Sequence, residues 1–176
     1  MSLFLAFTLP QELSNGLVEA LDHAHYPRVR IVGQHLWHVT LAFLGDVPET
    51  DADLIKNACA KFKTCPGTIT IDSLETFPVG GPKLLVGLGK EVPRDAWKTF
   101  IEDVRGEMLP FAPQIDRKPW RPHVTVGRGS KDAVLERWKQ PAGPWTWKPE
   151  GFSLVQGTLN EEGTSYAKLH EFRFTV

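Results

Sequence analysis

Two short runs of residues constrain this fold most: WHVTL near the start of the chain and PHVTV past its middle. Each run alternates apolar and polar side chains, a pattern typical of a half-buried strand, and each carries a histidine and a threonine two positions apart. Successive side chains of a strand point to opposite faces, so His38 and Thr40 share one face. His123 and Thr125 share a face for the same reason. The intervening valines are predicted to point into a core.

Length and composition are those of an ordinary globular protein. The chain has 176 residues, of which 41% are hydrophobic and 23% are charged, enough for one core. A formal charge of −1 excludes a global basic field that wraps long nucleic acid, but it permits a local cationic groove for an RNA end. No apolar run approaches the roughly 18 residues of a membrane span. We expect no membrane contact and no signal peptide, and a cytoplasmic protein with Cys59 and Cys65 reduced.

Hydrophobic periodicity and turn residues predict alternating strands and helices. Beside the two motif strands, strands are predicted at residues 3–8, 28–32, 68–77, 83–88, 152–159 and 166–176. Helices are predicted after Pro10, Pro48 and Pro93, with a short helical piece at 133–139. Residues 141–149, rich in Pro and Trp, are predicted to be a connection without regular structure.

This mixture of hairpins and crossover helices predicts an α+β fold with largely antiparallel sheets. The motifs lie about half the chain apart, and a helix follows a strand in each half. We therefore expect a bilobal protein, in which two pseudo-symmetric lobes flank a central groove and carry helices on their outer faces. Residues 1–176 are expected to form one domain of two intertwined lobes, because no linker or low-complexity tract separates them. Each lobe supplies one His-Thr strand to the groove.

Two imidazoles and two hydroxyls in one groove suit chemistry at phosphorus. A free histidine titrates near pH 6.5, so one ring can take a proton from water while the other gives one to a departing oxygen. In-line displacement needs the acid and the base on opposite sides of phosphorus, which two lobes can supply. The hydroxyls of Thr40 and Thr125 can donate to the non-bridging oxygens. Arg128, at the end of the second motif strand, can add a fixed cation.

Structural explanations compete with this hypothesis. A single His-x-Thr run usually reflects β-propensity alone, and the simplest alternative has both imidazoles buried and far apart. A metal site is disfavoured, because no Asp or Glu lies within four residues of either motif histidine. His35 is expected to point away from the groove. Trp37 and Trp120 are expected in the core, and Lys118 and Arg121 in a solvated loop.

The motifs and their surroundings resemble the two-histidine (2H) phosphoesterases. The branch is that of the bacterial and archaeal RNA 2′,3′-cyclic phosphodiesterases, LigT-like proteins first described as 2′-5′ RNA ligases. The run RIV followed by LWHVTLAFLG matches the first family signature, and RPHVTVGR matches the second. The opening LFLAFTLP and the tail from Phe152 onward are similar to the first and closing strands of the family. Two departures, Trp37 and Val126, stand where leucine is common and keep an apolar side chain.

The resemblance implies hydrolysis of a terminal 2′,3′-cyclic phosphate to a 2′-phosphate, without a metal or a nucleotide cofactor. The implied partners are RNA ends or nucleoside 2′,3′-cyclic phosphates, with no long nucleic-acid tract, and a monomer is expected. Reaction with an RNA 5′-hydroxyl instead of water would give 2′-5′ ligation. The resemblance also implies that His38, Thr40, His123 and Thr125 line the site. His123 is assigned as the base and His38 as the acid.

Three further residues are binding candidates. Arg128 is assigned to the phosphate, with Arg30 and Phe43 in second rank. Phe43 has the strand parity of Val39, so stacking on a base would require a bulge, and core packing is expected instead. Two functional alternatives stay open. One is a phosphodiesterase for another 2′-linked substrate, such as 2′-5′ oligoadenylate or ADP-ribose cyclic phosphate, and the other is a non-catalytic module that binds RNA ends.

Overall fold

Strands and helices alternate along the chain, much as the periodicity predicts. A computed structural model describes residues 1–22, 28–130, 134–161 and 163–175. The strands of this part are β1 (Ser2–Phe7), β2 (Val29–Ile31), β3 (Val39–Asp46), β4 (Thr68–Phe77), β5 (Leu84–Val92), β6 (His123–Gly129), β7 (Lys139–Trp147), β8 (Gly151–Asn160) and β9 (Gly163–Arg173). The α-helices are α1 (Gln11–Asp22), α2 (Ala52–Cys59) and α3 (Arg94–Met108). Short 3-10 turns at Gln34–Leu36 and Glu49–Asp51 precede β3 and α2.

The strands form a single sheet whose two halves have the same layout. The strand order is β7-β4-β5-β6-β3-β1-β8-β9, with β2 paired to β6 beside this path. All pairings are antiparallel among the described residues. Each half contains four strands, and the two motif strands β3 and β6 meet in the middle. The predicted α+β class, with two pseudo-symmetric antiparallel halves around the motif strands, is confirmed.

The helices lie on the sheet face opposite the motif histidines. α3 begins directly after Pro93 and buries a stripe of side chains at helical spacing, which includes Trp97 and Val104. The Trp97 ring lies 5.6 Å from Phe7, edge to face. Phe7 pairs with Val39 of β3, and both side chains are fully buried. The core therefore fills the space between α3 and the valine side of the motif strands.

The predicted helical piece at 133–139 is wrong for the residues that the structure describes; residue 133 lies outside them. Residues 134–138 have no regular secondary structure, and their backbone groups bond to other segments. The Leu135 N–H donates to the Pro82 carbonyl at 2.7 Å, and the Thr76 hydroxyl donates to the Glu136 carbonyl at 2.9 Å. A five-residue piece gains too few helical hydrogen bonds to compete with these partners.

The predicted irregular connection at 141–149 is also wrong, because most of it belongs to β7. This strand forms one edge of the sheet and pairs only with β4, so a proline there removes no hydrogen bond that the ladder needs. The register shifts between Pro141 and Trp145, where Gly143 has a φ of +83°. Such an irregularity takes up the extra residues and accommodates Pro144. The Pro and Trp content suggested a loop, but an edge strand tolerates both.

No helix in the described part of the chain is long and apolar enough to cross a membrane.

Candidate active site

The two motif strands lie side by side at the centre of the sheet. β3 and β6 pair at Val39 and Val124, which are both fully buried. Antiparallel partners point to the same face, so both valines enter the core and the residues beside them face the opposite surface. Each histidine then lies near the threonine of the other motif: one cavity is lined by His38 and Thr125, another by His123 and Thr40. The pairing of Val39 with Val124 thus brings the four motif side chains to one surface.

Both imidazoles are tethered in the same way. The Nδ1 of His38 lies 2.8 Å from the carbonyl oxygen of Leu36, and the Nδ1 of His123 lies 2.8 Å from that of Arg121. A carbonyl oxygen only accepts, so Nδ1 carries the proton in each ring. The tether fixes the ring orientation and leaves Nε2 as the ring nitrogen that is not bound to a backbone carbonyl. A neutral ring offers a lone pair at Nε2, and a protonated ring offers a proton there.

Burial favours the uncharged form of both rings. Desolvation lowers the pKa of His38 below its usual value, against the raising effect of its bond to Leu36. The positive charges of His123 and Arg128 lower it further. Desolvation also lowers the pKa of His123, with a smaller lowering contribution from Arg121. Each histidine is partly exposed, and the two lie on strands that pair at Val39 and Val124, so the alternative in which both are buried and far apart is wrong.

The motif threonines complete the reactive surface. The Oγ1 of Thr40 lies 3.2 Å from the Nε2 of His38. The Trp120 indole N–H donates to the Thr40 carbonyl at 2.8 Å, which holds this part of β3 in place. Trp120 is half-buried and stacks on Trp97 at 5.4 Å, so it packs against the core and also supports the site. The Thr125 hydroxyl faces the same surface from β6 and lines a cavity with His38.

Aromatic side chains flank each imidazole. The ring centroids of Phe4 and Tyr166 lie 4.9 and 5.3 Å from that of His38. The Phe77 ring stacks on His123 at 5.1 Å with an interplanar angle of 26°. These contacts restrict the rings and remove part of their solvent, which is the cause of the lowered pKa values.

Two cavities adjoin the motif residues, one beside each histidine. The first, called the Tyr166 cavity, has a volume of about 320 Å³; its lining includes His38, Thr125, Arg128, Thr158 and Tyr166. The second, called the Phe77 cavity, has a volume of about 540 Å³; its lining includes Phe77, Arg105, Lys118, Arg121 and His123. Thr40 and Phe43 line both cavities. The two spaces therefore meet over the motif strands, in the position of the predicted central groove.

The prediction that Phe43 packs in the core is wrong, because this residue is 58% exposed. In the β1–β3 ladder, Ala6 pairs with Thr40 and Leu5 pairs with Ala42, so Leu41 is an extra residue in β3. This bulge reverses the alternation of side chains beyond it. Phe43 consequently shares the face of Thr40 and stands between the two cavities.

Of the two arginines predicted to bind the substrate, Arg128 lines a cavity beside the histidines and Arg30 does not. Arg128 is exposed and lines the Tyr166 cavity beside His38, where its charge contributes to the lowered pKa of that histidine. Arg30 pairs with Arg128 across β2 and β6, but it is not among the residues that line either cavity. His35 is exposed and lines neither cavity, as expected, and Trp37 is buried. Lys118 lines the Phe77 cavity, so its segment is more than a solvated loop.

Sequence reasoning did not single out three of the flanking residues: Phe4, Phe77 and Tyr166. Phe4 lies in a run of apolar residues, in which nothing distinguishes one phenylalanine from its neighbours. Phe77 ends a predicted strand and Tyr166 begins another, so their positions at strand ends were the available signal. In the described part of the chain, no group of three or more His, Cys, Asp or Glu side chains is placed to hold a metal ion.

Comparison with known proteins agrees with this arrangement. The sequence model of the 2′-5′ RNA ligase superfamily matches residues 9–161. The RNA 2′,3′-cyclic phosphodiesterase of Thermus thermophilus is 28% identical over 98% of this chain and 89% of its own length. A crystal structure of a protein from that organism matches with a TM-score of 0.82 and 26% identity, covering 99% of this chain and 98% of its own. Escherichia coli LigT, crystallised with 3′-AMP, has the same fold, with a TM-score of 0.81 and 23% identity over 99% of this chain and 98% of its own. A match over most of the length, joined to the paired His-Thr strands, shows that this chain belongs to the 2′-5′ RNA ligase superfamily of two-histidine phosphoesterases.

Proposed function

We propose that this protein is an RNA 2′,3′-cyclic phosphodiesterase that hydrolyses a terminal cyclic phosphate to a 2′-phosphate. The observation that carries the proposal is the pair of equivalent imidazoles, each tethered at Nδ1 and each lining one of two cavities that meet at Thr40 and Phe43. The Thermus thermophilus relative bears the name of the same activity, which supports the substrate. The whole chain, residues 1–176, is one functional unit in this proposal, because both halves of the sheet supply reactive groups.

The reaction uses one imidazole on each side of phosphorus. The Nε2 lone pair of His123 takes a proton from water, and the water oxygen forms a bond to phosphorus. The bond from phosphorus to the 3′ oxygen breaks on the opposite side. The Nε2–H of His38 gives its proton to that oxygen, and the product carries a free 3′-hydroxyl and a 2′-phosphate. Each turnover moves the proton from one ring to the other, and solvent exchange restores the starting state.

In this mechanism, binding of the anionic substrate favours the protonated form of one imidazole. Burial lowers both pKa values and so disfavours the protonated form of either ring in the free protein. A phosphate anion beside the rings favours the charged form of the nearer imidazole and raises its pKa. Arg128 opposes protonation of His38 but binds the same anion. Binding and protonation are therefore coupled in the proposed mechanism.

Other side chains hold the substrate in this proposal. The hydroxyls of Thr40 and Thr125 donate to the non-bridging oxygens, where negative charge grows in the transition state. The exposed Phe43 ring stacks on the terminal base, because it stands at the junction of the cavities with its face in solvent. Arg30 is assigned only a supporting charge beside Arg128. No metal or nucleotide cofactor takes part in any of these steps.

The same site can run in the direction of ligation. A 5′-hydroxyl that replaces water as the nucleophile would lose its proton to the base and form a 2′-5′ phosphodiester. The protein is expected to act as a monomer, since one chain supplies both histidines. We also propose a cytoplasmic location, which is supported by two free, buried cysteines. Burial raises the pKa of Cys59 to about 12, so its thiol stays protonated and inert.

An oligonucleotide with a 2′,3′-cyclic phosphate end, incubated with the protein in EDTA, tests this proposal. The expected product is the 2′-phosphate, and a 3′-phosphate or no product contradicts the proposal. His38→Ala and His123→Ala should each lose about 10²–10⁴-fold in turnover with the fold preserved. Full activity in either variant contradicts the assigned roles. A panel with 2′-5′ oligoadenylate and ADP-ribose cyclic phosphate separates the alternative substrates, and tight binding without turnover would indicate a binding module.

A further inference from the structure

A third cavity extends the groove away from the reactive centre. It has a volume of about 190 Å³ and lies between α3 and residues 117–120; its lining includes Arg94, Trp97, Lys98, Arg105, Arg117 and Lys118. We call it the α3 cavity. It shares Arg105, Lys118 and Trp120 with the Phe77 cavity, which in turn shares Thr40 and Phe43 with the Tyr166 cavity. The three cavities thus adjoin one another in a series, called the path below, from the two histidines to the surface of α3.

This path is strongly cationic although the chain as a whole has a formal charge of −1. The basic residues that line the Phe77 and α3 cavities are Arg94, Lys98, Arg105, Arg117, Lys118 and Arg121, and the acidic residues are Glu91, Glu102 and Asp116. Among the described residues, the cations at positions 94, 117, 118 and 121 form no salt bridge. Unpaired cations concentrated along one path attract a polyanion.

The backbone beside the path is held in place, so the cations have defined positions. The Arg105 guanidinium donates from Nη1 to the Lys118 carbonyl at 2.7 Å, and the Lys118 N–H donates to Asp116 Oδ1 at 2.9 Å. The buried Nε of Arg105 has no acceptor among the described residues, so this guanidinium keeps an unmet donor where the two cavities join. The Arg121 guanidinium lies over the Phe77 ring at 5.8 Å, next to His123. Fixed cations beside an aromatic ring are typical of sites that follow a single nucleic-acid strand.

We propose that the Phe77 and α3 cavities bind the backbone phosphates of the RNA strand whose end is being hydrolysed. This inference rests on the proposed function and names its substrate: a single-stranded RNA end of several nucleotides, preferred over a mononucleotide cyclic phosphate. The Phe77 cavity is lined by His123 itself, which favours the substrate strand over an unrelated polyanion. Four unpaired cations suffice for about two or three phosphates, so recognition stays near the terminus, as the overall charge predicts.

The test compares two substrates of different length: a nucleoside 2′,3′-cyclic phosphate and a tetranucleotide that ends in the same group. The wild-type protein should have a lower KM for the tetranucleotide, and that KM should rise steeply with salt. The double variant R94A/R117A, which removes two cations that line the α3 cavity but not the Phe77 cavity, should raise the tetranucleotide KM about fivefold for each cation removed. It should also reduce the slope of log(1/KM) against log[salt] by about 0.7 for each lost phosphate contact. Its KM for the mononucleotide should stay at the wild-type value.

The double variant K63A/K148A is the matched control, since it removes two exposed lysines that line neither cavity and changes the net charge equally. It should behave as wild type on both substrates. Equal KM values for the two substrates in the wild-type protein, or equal losses in both double variants, would overturn the inference while leaving the proposed function intact. Absence of hydrolysis with either substrate would instead refute the proposed function.

Discussion

Replacing either motif threonine by valine should slow turnover without changing the fold. Thr40 and Thr125 are half-buried strand residues that face the reactive surface. The Thr40 hydroxyl lies 3.2 Å from the reactive nitrogen of His38, and the Thr125 hydroxyl lines the cavity beside the same ring. Valine keeps the β-branched shape that suits a strand and removes only the hydroxyl.

The size of the effect follows from the number of hydrogen bonds lost. In the proposed mechanism, each hydroxyl donates one hydrogen bond to a charged phosphate oxygen. Such a bond contributes about 1.5–3 kcal/mol, so removing one should lower kcat/KM by about 10- to 150-fold. The hydroxyls of Thr40 and Thr125 lie on different strands and act on different oxygens, so the losses in the double variant should roughly multiply.

Steady-state hydrolysis of a cyclic-phosphate-ended oligonucleotide in EDTA measures this loss. Thr68→Val is the matched control, because Thr68 is a half-buried threonine at the start of β4 and lines neither cavity beside the histidines. All three variants should melt within a few degrees of the wild-type protein. A loss below threefold in both Thr40→Val and Thr125→Val would refute the assignment of the hydroxyls to the transition state.

Three further predictions concern pH and substrate binding. Burial lowers the pKa of both His38 and His123, so kcat/KM should be maximal below pH 6.5. The pH profile of kcat should lie at higher pH than that of kcat/KM. An alkaline optimum for kcat/KM would contradict this prediction. The same lowered pKa values mean that the free energy of unfolding should fall as pH drops below 6.5, and His38→Asn/His123→Asn should weaken that dependence in urea titrations. Phe43→Ala should raise KM for a nucleoside cyclic phosphate about tenfold with little change in kcat, whereas Leu54→Ala, at an equally exposed apolar residue, should not.

The placement of the two His-Thr pairs on one surface was predictable because their sequence signal is local. The alternation around Val39 and Val124 fixes which side chains share a face, and the repetition of the motif indicates two equivalent strands. The direct pairing of these valines follows from the two-fold relation between the halves of the sheet. The orientation of the imidazoles was not predictable, since it depends on backbone carbonyls two residues before each ring.

Features that depend on long-range partners could not be predicted. The β3 bulge that exposes Phe43 arises from the ladder with β1, in which an extra residue reverses the parity that the sequence implies. β7 tolerates Pro141 and Pro144 because it lies at an edge of the sheet. The local composition of a segment does not reveal whether that segment will be an edge strand. The segment before it is not helical because Thr76 and Pro82 bond to its backbone. The basic path along α3 combines charged residues of α3 with those of residues 117–121, and only the folded structure brings these two segments together.

A crystal structure with a nucleoside 2′-phosphate bound would show whether the two imidazoles act on one phosphorus centre. We expect the phosphate between the two rings, with one oxygen about 2.6–3.2 Å from the Nε2 of His38 and another within the same range of the Nε2 of His123. Both Nδ1 atoms should keep their bonds to the carbonyls of Leu36 and Arg121. A phosphate that contacts only one imidazole, or that binds away from both, would contradict acid–base catalysis by the pair.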